Sequence, residues 1–417
     1  MTEYARTPGL VLAGAAALGA YEVGVLAYCV EDVAGAIGAP VPPIASGTSA
    51  GALNAMALAA FAEAPALGIR ALVRAWTELR LGRILRPSSI ELLSMFLDVG
   101  GAPLRLRRAL AACTIRGALL DQAPIAELVA RIPLPRVADH LASGRLLGVA
   151  VSATRVATGE AVIFHHASSL ARPWRAEPNL IPVATHITAN HVLASAAIPL
   201  LFPTVEIGGD RYCDGGLRQM VPLSPAIHLG AERLLVVNPL PAVSPAPAVP
   251  TDGVLSPVTS PLYLAGKALN ALFADRVDAD LARLSRTTQL LRAGERRFGP
   301  SFEREINLEL ARAGEPPMTA IDAVCIEPSI DLGALAAEHV TSRSFASRVP
   351  GIAERFLRCV VDGDPIRVRD LLAYVLFDGP FMSKLIELGR DDARAHHEEL
   401  CGVLAPEPGA RAAHSRT

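Results

Sequence analysis

The sequence predicts an α/β fold with a mostly parallel central sheet, helices on both of its faces, and a helical C-terminal part. Short apolar runs typical of buried strands alternate with longer segments of helical spacing over residues 1–240. Strands that are joined through helices pair in parallel, because the chain has to cross back over the sheet. The chain has 417 residues, 51% of them hydrophobic and 19% charged, so it can bury a large core.

The first strand–helix–strand unit lies at the N-terminal end. Gly9–Leu12 is a short apolar run, Gly14–Gly19 is a turn of small residues, and Ala20–Ile37 carries apolar residues near helical spacing. Pro43–Ser46 is the second predicted strand, and Ala50–Ala62 is the helix after it. The other predicted strands are Leu147–Ala153, Ala161–Phe164, Val205–Ile207, Arg211–Cys213, Arg233–Asn238 and Ala323–Ile326, with helices over Ala71–Ile132 and Val192–Ala197.

A proline-rich segment divides the chain into two unequal parts. Seven prolines occur from Pro239 to Pro261, and such a segment cannot continue a helix or a central strand. We therefore expect a core over residues 1–240, a linker or loop over residues 241–262, and a mostly helical region over residues 263–405 that packs on the core. Residues 406–417 are predicted to be a disordered tail.

Charge and cysteine usage exclude several classes of function. The formal net charge of −2 gives no basic face for nucleic acid. The six cysteines include no C-x-x-C pair, so buried thiols in a reducing compartment are expected rather than disulfides or a metal cluster. The pairs His165-His166 and His396-His397 have no matching set of ligands in the sequence, so no metal and no cofactor is predicted.

The apolar stretch Gly9–Val30 could be mistaken for a signal peptide or a membrane anchor. Glu3 and Arg6 precede it, so it lacks a clearly positive leader, and Glu22 would lie inside the span at a cost of about 3 kcal/mol. A strand–turn–helix explains the recurring glycines better. We expect a cytoplasmic protein, with contact at a membrane surface left open.

The first candidate for chemistry is Gly47-Thr48-Ser49-Ala50-Gly51, which matches G-x-S-x-G. In this motif a serine occupies a strained turn between a strand and a helix, and its hydroxyl is open to a substrate. The helix N-terminus also directs unpaired N–H groups at the site. The pentapeptide alone is a weak signal, because an ordinary strand–helix loop with a capping serine has the same composition.

The second candidate is the small-residue turn over Gly14–Gly19, in which several backbone N–H groups can point at one anion. An acyl-transfer enzyme needs such donors where negative charge develops on a carbonyl oxygen. A dinucleotide-binding loop is the alternative, but it requires G-x-G-x-x-G, and Ala16 occupies the position of its second glycine. A tightly packed turn without a ligand is the third interpretation.

The third candidate is Asp214-Gly215-Gly216, which follows a predicted strand. An aspartate that leaves a strand before two glycines can direct its carboxylate into a pocket. Asp-Gly-Gly is also a common turn, so this motif too depends on its context.

Together the three motifs resemble the patatin-like phospholipase family. That family has a glycine-rich oxyanion loop after the first strand, G-x-S-x-G after the second, and D-G-[GA] far downstream, and this chain has all three in that order. The stretch Ala194–Pro203, with the sequence ASAAIPLLFP, is also similar to that family. The resemblance extends more loosely through Ile330–Gly333, Leu376–Gly379 and Leu385–Arg390.

The resemblance implies a lipid acyl hydrolase with a Ser–Asp dyad in place of a Ser-His-Asp triad. Ser49 would attack the ester and Asp214 would accept its proton. The N–H groups of Gly14, Ala15 and Ala16, joined by that of Ala50, would hold the oxyanion. Water would then hydrolyse the acyl-enzyme, with no metal required.

Three alternatives remain open at this point. The family's glycines appear here as Ala15 and Ala16, and its frequent basic residue as Leu18, so a catalytically weak member that binds lipid or a protein is one alternative. A triad with His191 or His228 as the base is another.

The segment Arg83–Ala112 carries apolar residues beside Arg105, Arg107 and Arg108, and is either a helix packed on the sheet or a cap that meets lipid.

Overall fold

The computed structural model describes residues 6–38, 41–84, 120–169, 174, 180–199, 201–240, 277–315, 317–348 and 372–405. Nine strands in these ranges form one sheet. They are β1 (Pro8–Leu12), β2 (Ile44–Thr48), β3 (Gly148–Arg155), β4 (Ala161–Ala167), β5 (Leu180–Ala184), β6 (Val205–Ile207), β7 (Asp210–Asp214), β8 (Arg233–Val237) and β9 (Asp322–Ile326).

The strand order is β5-β4-β3-β2-β1-β8-β9, and the hairpin of β6 and β7 is attached to β3. The pairs β1–β2, β1–β8, β2–β3, β4–β5 and β8–β9 are parallel, whereas β3–β4, β3–β7 and β6–β7 are antiparallel. Every residue of β2 and β8 is buried, as expected for central strands of a parallel sheet that is covered on both sides. The predicted α/β fold with a mostly parallel sheet is confirmed.

The helices before the proline-rich segment connect and cover these strands. They are α1 (Gly19–Tyr28), α2 (Ala34–Ile37), α3 (Ala50–Ala60), α4 (Pro65–Thr77), α5 (Leu81–Ile84), α6 (Ala123–Ala130), α7 (Arg136–Ala142), α8 (Ala189–Ser195) and α9 (Leu223–His228). A π-helical stretch, Cys29–Val33, separates α1 from α2, so the predicted helix Ala20–Ile37 is interrupted. All residues of α1 and α3 are buried, which fits their mostly apolar sequences, and the buried Glu22 and Asn54 hydrogen-bond to each other.

The C-terminal region is mainly helical, as predicted. Its helices are α10 (Val277–Phe298), α11 (Phe302–Arg312), α12 (Leu332–Thr341), α13 (Arg343–Arg348), α14 (Gly379–Ala395) and α15 (His397–Leu404), and β9 joins the central sheet beside β8. Helix α14 packs along α1, where a Cβ atom on Gly389 would lie 2.2 Å from the Tyr21 carbonyl oxygen. This region therefore shares the core of the N-terminal part.

One strand is absent from the sequence prediction. Strand β5 contains Pro182, which cannot donate to a ladder and argues against a strand in the interior of a sheet. β5 lies at the edge of the sheet, where β4 is its neighbour, and its residues are mostly half-buried. A proline is tolerated there because one side of the strand needs no hydrogen-bond partner.

Several predictions fall on residues outside the described ranges. These are the linker over 241–262, the tail over 406–417, and most of the segment Arg83–Ala112, so they stay predictions. Within the described ranges, Cys29, Cys213, Cys325 and Cys401 form no disulfide bond. None of the described helices is both long enough and apolar enough to cross a bilayer.

Candidate active site

Ser49 is the single residue between strand β2, which ends at Thr48, and helix α3, which begins at Ala50. Its φ is 55° and its ψ is −123°, a region that residues with a side chain rarely adopt. Gly47 and Gly51, which flank this turn, have to be glycine because other backbone atoms lie too close to leave room for a side chain. A Cβ atom on Gly51 would lie 2.4 Å from the Leu12 carbonyl oxygen, and one on Gly47 would lie 2.4 Å from the Gly51 carbonyl oxygen.

The hydroxyl of Ser195 holds the backbone of Ser49 in this turn. The Ser49 N–H donates to Ser195 Oγ at 2.8 Å, and Ser195 Oγ–H donates to the Ser152 carbonyl at 2.6 Å. Ser195 is fully buried at the end of helix α8. Its hydroxyl thus bridges β2 and β3 at the point where the chain of β2 turns away from the sheet.

Strand pairing brings Asp214 next to this turn. Thr48, the last residue of β2, lies opposite Ser152 of β3, and Asp214, the last residue of β7, lies opposite Ala153. Because β4 occupies the other edge of β3, β2 and β7 follow one another along the same edge. The residues after Thr48 therefore meet the end of β7, although they are far apart in sequence.

The backbone around Asp214 is fixed by neighbouring groups. Its N–H donates to the Ala197 carbonyl at 2.9 Å, and its own carbonyl accepts from Thr154 Oγ1 at 2.9 Å. A Cβ atom on Gly215 would lie 2.3 Å from the Ser152 carbonyl oxygen, so the residue after the aspartate has to be glycine.

Asp214 is 1% exposed, and its two carboxyl oxygens differ in their hydrogen bonding. Oδ1 accepts from the Gly216 N–H at 2.7 Å, whereas Oδ2 is buried and has no hydrogen-bond partner in the described part of the chain. Burial raises the pKa of Asp214 to about 7, against the lowering effects of the nearby Ser49 hydroxyl and of the Gly216 N–H. A carboxyl with this pKa can take up and release a proton near neutral pH.

The turn after β1 lies on the other side of Ser49. Ala15 has a φ of −147°, and Ala16 has a φ of 47°, a left-handed conformation unusual for alanine. The N–H groups of Ala15, Ala16 and Ala50 have no acceptor within the described ranges. The Gly14 N–H, in contrast, donates to the Met220 carbonyl at 2.9 Å. Of the four predicted oxyanion donors, Gly14 thus already has an acceptor for its N–H, and Ala15, Ala16 and Ala50 are the ones left available.

A narrow apolar cavity adjoins Ser49. It holds about 30 Å³ of open space, roughly enough for one water molecule. Ser49 is the one hydroxyl-bearing side chain among the described residues that line it. The others are Ala16, Ala50, Leu53, Trp76, Leu79, Ile125, Leu128, Ala196, Ile198, Phe202 and Phe377.

The two histidines considered as alternative bases have other partners. His191 Nδ1 accepts from the Thr188 N–H at 3.0 Å in a helix cap, its ring lies 4.4 Å from that of Phe164, and burial lowers its pKa to about 4. The His228 ring stacks on that of Trp174 at 4.8 Å. Neither histidine lines the cavity beside Ser49 as far as the described residues define it.

Ser195 and Gln219 are site residues that the sequence analysis did not identify. Thr48 Oγ1 donates to the Gln219 carbonyl at 2.9 Å, and Ser152 Oγ donates to Gln219 Oε1 at 3.0 Å. Ser195 lies within the stretch Ala194–Pro203 that carries the family resemblance, but nothing in that stretch indicates which of its residues contacts Ser49.

No group of three or more potential metal-ligating side chains occurs in the part of the chain that the structure describes.

Comparison with known proteins identifies a family and finds several similar solved structures. The family model described as patatin-like phospholipase matches residues 10–227, which include all three sequence motifs. The crystal structure of VipD from Legionella pneumophila is similar at 13% sequence identity and a TM-score of 0.31, over 94% of this chain and 67% of that one. No curated protein sequence matches the chain.

Proposed function

This chain belongs to the patatin-like phospholipase family, and from that premise we propose that it hydrolyses lipid esters with Ser49 as the nucleophile and Asp214 as its base. Its family is one of lipid acyl hydrolases. Phospholipids and lysophospholipids are the substrate class that we propose for this member.

The observation that carries the proposal is the consecutive pairing of β2 and β7 along β3. It brings a serine in a strained turn beside a buried carboxyl whose Oδ2 has no other partner in the described ranges. A buried acceptor without a hydrogen bond has lost its contacts with water, and it is free to accept a proton from a neighbouring group. Accepting the Ser49 proton is a task that its position suits.

In the first half-reaction, Ser49 Oγ attacks the ester carbonyl carbon while its proton passes to Asp214 Oδ2. The N–H groups of Ala15, Ala16 and Ala50 are the available donors for the oxyanion that forms, and one such donor is worth about 3 kcal/mol in a transition state. Collapse of the tetrahedral intermediate breaks the bond to the alcohol, which leaves with the proton from Asp214. The acyl group is then bound to Ser49 as an ester.

In the second half-reaction, water takes the place of the alcohol. Asp214 accepts a proton from the water as its oxygen attacks the acyl carbon, and the same N–H groups hold the second oxyanion. Ser49 recovers its proton from Asp214 when the fatty acid leaves. Atoms and charge balance with water as the one co-substrate.

The lining of the cavity supports an acyl chain as the group beside Ser49. Aliphatic and aromatic side chains surround the hydroxyl, which suits a hydrocarbon and disfavours a charged or sugar-like group. The open space of about 30 Å³ is much smaller than an acyl chain, so side chains have to move when a substrate binds.

The proposal is tested with Ser49→Ala and a fluorophosphonate, a reagent that labels activated serines. Wild-type protein should hydrolyse p-nitrophenyl esters and be labelled, and Ser49→Ala should do neither while it keeps its fold. Ser46→Ala is the matched control, because Ser46 is a buried serine of β2, three residues before Ser49, and its Oγ has no partner among the described residues. Labelling that persists in Ser49→Ala would contradict the assignment.

A catalytically weak lipid-binding protein is the second candidate. The small cavity and the left-handed φ of Ala16 favour it, since both oppose fast turnover. It predicts that wild-type protein binds a fatty acid but hydrolyses no ester and takes no label, which separates it from the first candidate.

A further inference from the structure

The C-terminal region contributes a side chain to the cavity beside Ser49. Phe377 lies between the helical turn 372–375 and helix α14, is 4% exposed, and lines the same cavity as Ser49 and Trp76. It lies far beyond residues 10–227, the part that the family model matches. The family match alone therefore gives no account of this wall of the cavity.

The backbone after Phe377 contacts the last residue of helix α4 and the residues that follow it. The Gly379 N–H donates to the Leu79 carbonyl at 3.1 Å, and Leu79 itself lines the cavity. A Cβ atom on Gly379 would lie 2.1 Å from the Thr77 carbonyl oxygen, so the two segments touch backbone to backbone. The segment that carries Phe377 thus has no room to approach more closely.

The next residue, Asp378, is buried and is held by a cluster with His339 and Arg348. Asp378 is 2% exposed, and its Oδ2 lies 2.8 Å from His339 Nε2 and accepts from Arg348 Nη2 at 3.1 Å. A buried carboxylate is stable only when it has such partners, and removing one leaves an uncompensated charge. His339 and Arg348 lie on α12 and α13, so the cluster connects three C-terminal segments at the residue next to Phe377 in the chain.

We propose that Phe377 is a specificity-determining residue that limits the acyl group accepted beside Ser49, and that Asp378 is the positioning residue that holds it there. The inference rests on the proposed function. Because the cavity has room for about one water molecule, the phenyl ring occupies space that an acyl chain needs. Each methylene that gains a buried site changes binding roughly fourfold, so a smaller side chain at position 377 favours longer chains.

The first test compares p-nitrophenyl esters of eight and sixteen carbons. In Phe377→Ala the ratio of kcat/KM for the long ester to that for the short ester should rise at least about tenfold, and in Phe377→Leu about threefold. Phe381→Leu is the matched control, because Phe381 is fully buried on α14, packs against the same His339, and is not among the described residues lining the cavity. Asp378→Asn should change the ratio in the same direction as Phe377→Leu.

The second test does not need turnover. Trp76 lines the cavity, and Trp174 is the chain's other tryptophan, so Trp174→Phe leaves a single reporter at the site. In that background, quenching by brominated fatty acids should show that Phe377→Leu tightens binding of the sixteen-carbon acid relative to the eight-carbon acid, again about threefold. Phe381→Leu should leave the relative affinity as it is.

The outcomes separate the inference from the proposed function. If esters are hydrolysed but Phe377→Leu, Phe377→Ala and Phe381→Leu all keep the wild-type chain-length ratio, the inference on Phe377 is wrong and the hydrolase stands. If no ester is hydrolysed but quenching shifts with Phe377→Leu alone, Phe377 limits the pocket of a lipid-binding protein. If quenching is also unchanged in Phe377→Leu, the inference is overturned whatever the activity.

Discussion

The proposed chemistry depends on three side chains: Ser49 and Asp214 react, and the Ser195 hydroxyl positions Ser49. Ser49 is held at a φ of 55°, and a strained residue keeps such a conformation only when its surroundings impose it. The surroundings here include Ser195, whose hydroxyl accepts from the Ser49 N–H and donates to the Ser152 carbonyl. Ser195 is therefore a positioning residue for the nucleophile rather than a reacting group.

Removing the Ser195 hydroxyl should impair catalysis more than binding. We expect Ser195→Ala to lower kcat at least about tenfold with little change in KM, because a displaced nucleophile reacts slowly with a substrate that still binds. Thr288→Val is the matched control, since the Thr288 hydroxyl also links an N–H and a carbonyl, both of Ile321, at another place. Equal losses of kcat in both variants would show a general effect on stability instead.

The pKa of Asp214 predicts the pH dependence of the reaction. Asp214 acts as a base when it is ionised, and burial raises its pKa from 3.8 to about 7. The ionised fraction, and with it kcat/KM, should therefore rise with pH with a midpoint near 7 and level off about one pH unit above it. A pH series with a neutral ester measures this limb, and a midpoint near pH 4 would show that the reacting carboxyl is not buried as the structure has it.

At the scale of single elements, the turn after β1 is where sequence and structure differ most. Alanine at a left-handed φ is strained, whereas glycine adopts that conformation freely. Ala16→Gly should therefore stabilise the protein by about 0.5–1 kcal/mol and keep or raise turnover. Ala15→Gly is its control, because φ is −147° there and glycine adds flexibility without relieving strain. Urea unfolding and ester hydrolysis measure both effects, and equal shifts in the two variants would contradict the account.

Sequence patterns predicted the elements that have strong local signals. The apolar runs of β1, β2 and β8 and the small-residue turns after β1 and β2 are of this kind. The Gly14 N–H could not be assigned from sequence, because its acceptor is the carbonyl of Met220, far along the chain. The position of Asp214 beside Ser49 depends equally on a tertiary contact, the antiparallel pairing of β7 with β3.

At the scale of the whole molecule, the C-terminal region is part of the structure around the site. Tyr21 of α1 donates through its hydroxyl to Asp392 of α14 at 2.9 Å, and Phe377 reaches the cavity. The sequence predicted that this region is helical and packs on the core, but helical spacing does not reveal which helix it meets. Two glycines that face the opposite helix, Gly24 and Gly389, determine the close approach of α1 and α14.

Substitution at this helix contact should destabilise the whole molecule. Gly389→Ala places a methyl group 2.2 Å from the Tyr21 carbonyl oxygen, and we expect a loss of about 1–3 kcal/mol in the free energy of unfolding. In α15 a Cβ atom on Gly402 meets nothing within 4 Å, so Gly402→Ala should instead stabilise by about 0.5–1 kcal/mol. Denaturant unfolding of both variants gives the comparison, and a neutral Gly389→Ala would mean that the helices can separate freely.

The most direct test of the account is kcat/KM of Asp214→Asn measured beside that of His191→Gln. Asparagine keeps the shape of the side chain and the acceptor for the Gly216 N–H, but it cannot take a proton from Ser49. We expect Asp214→Asn to lower kcat/KM at least about a hundredfold. His191→Gln should stay within a few-fold of wild type, because that ring serves a helix cap. Retained activity in Asp214→Asn together with loss in His191→Gln would contradict the Ser–Asp dyad.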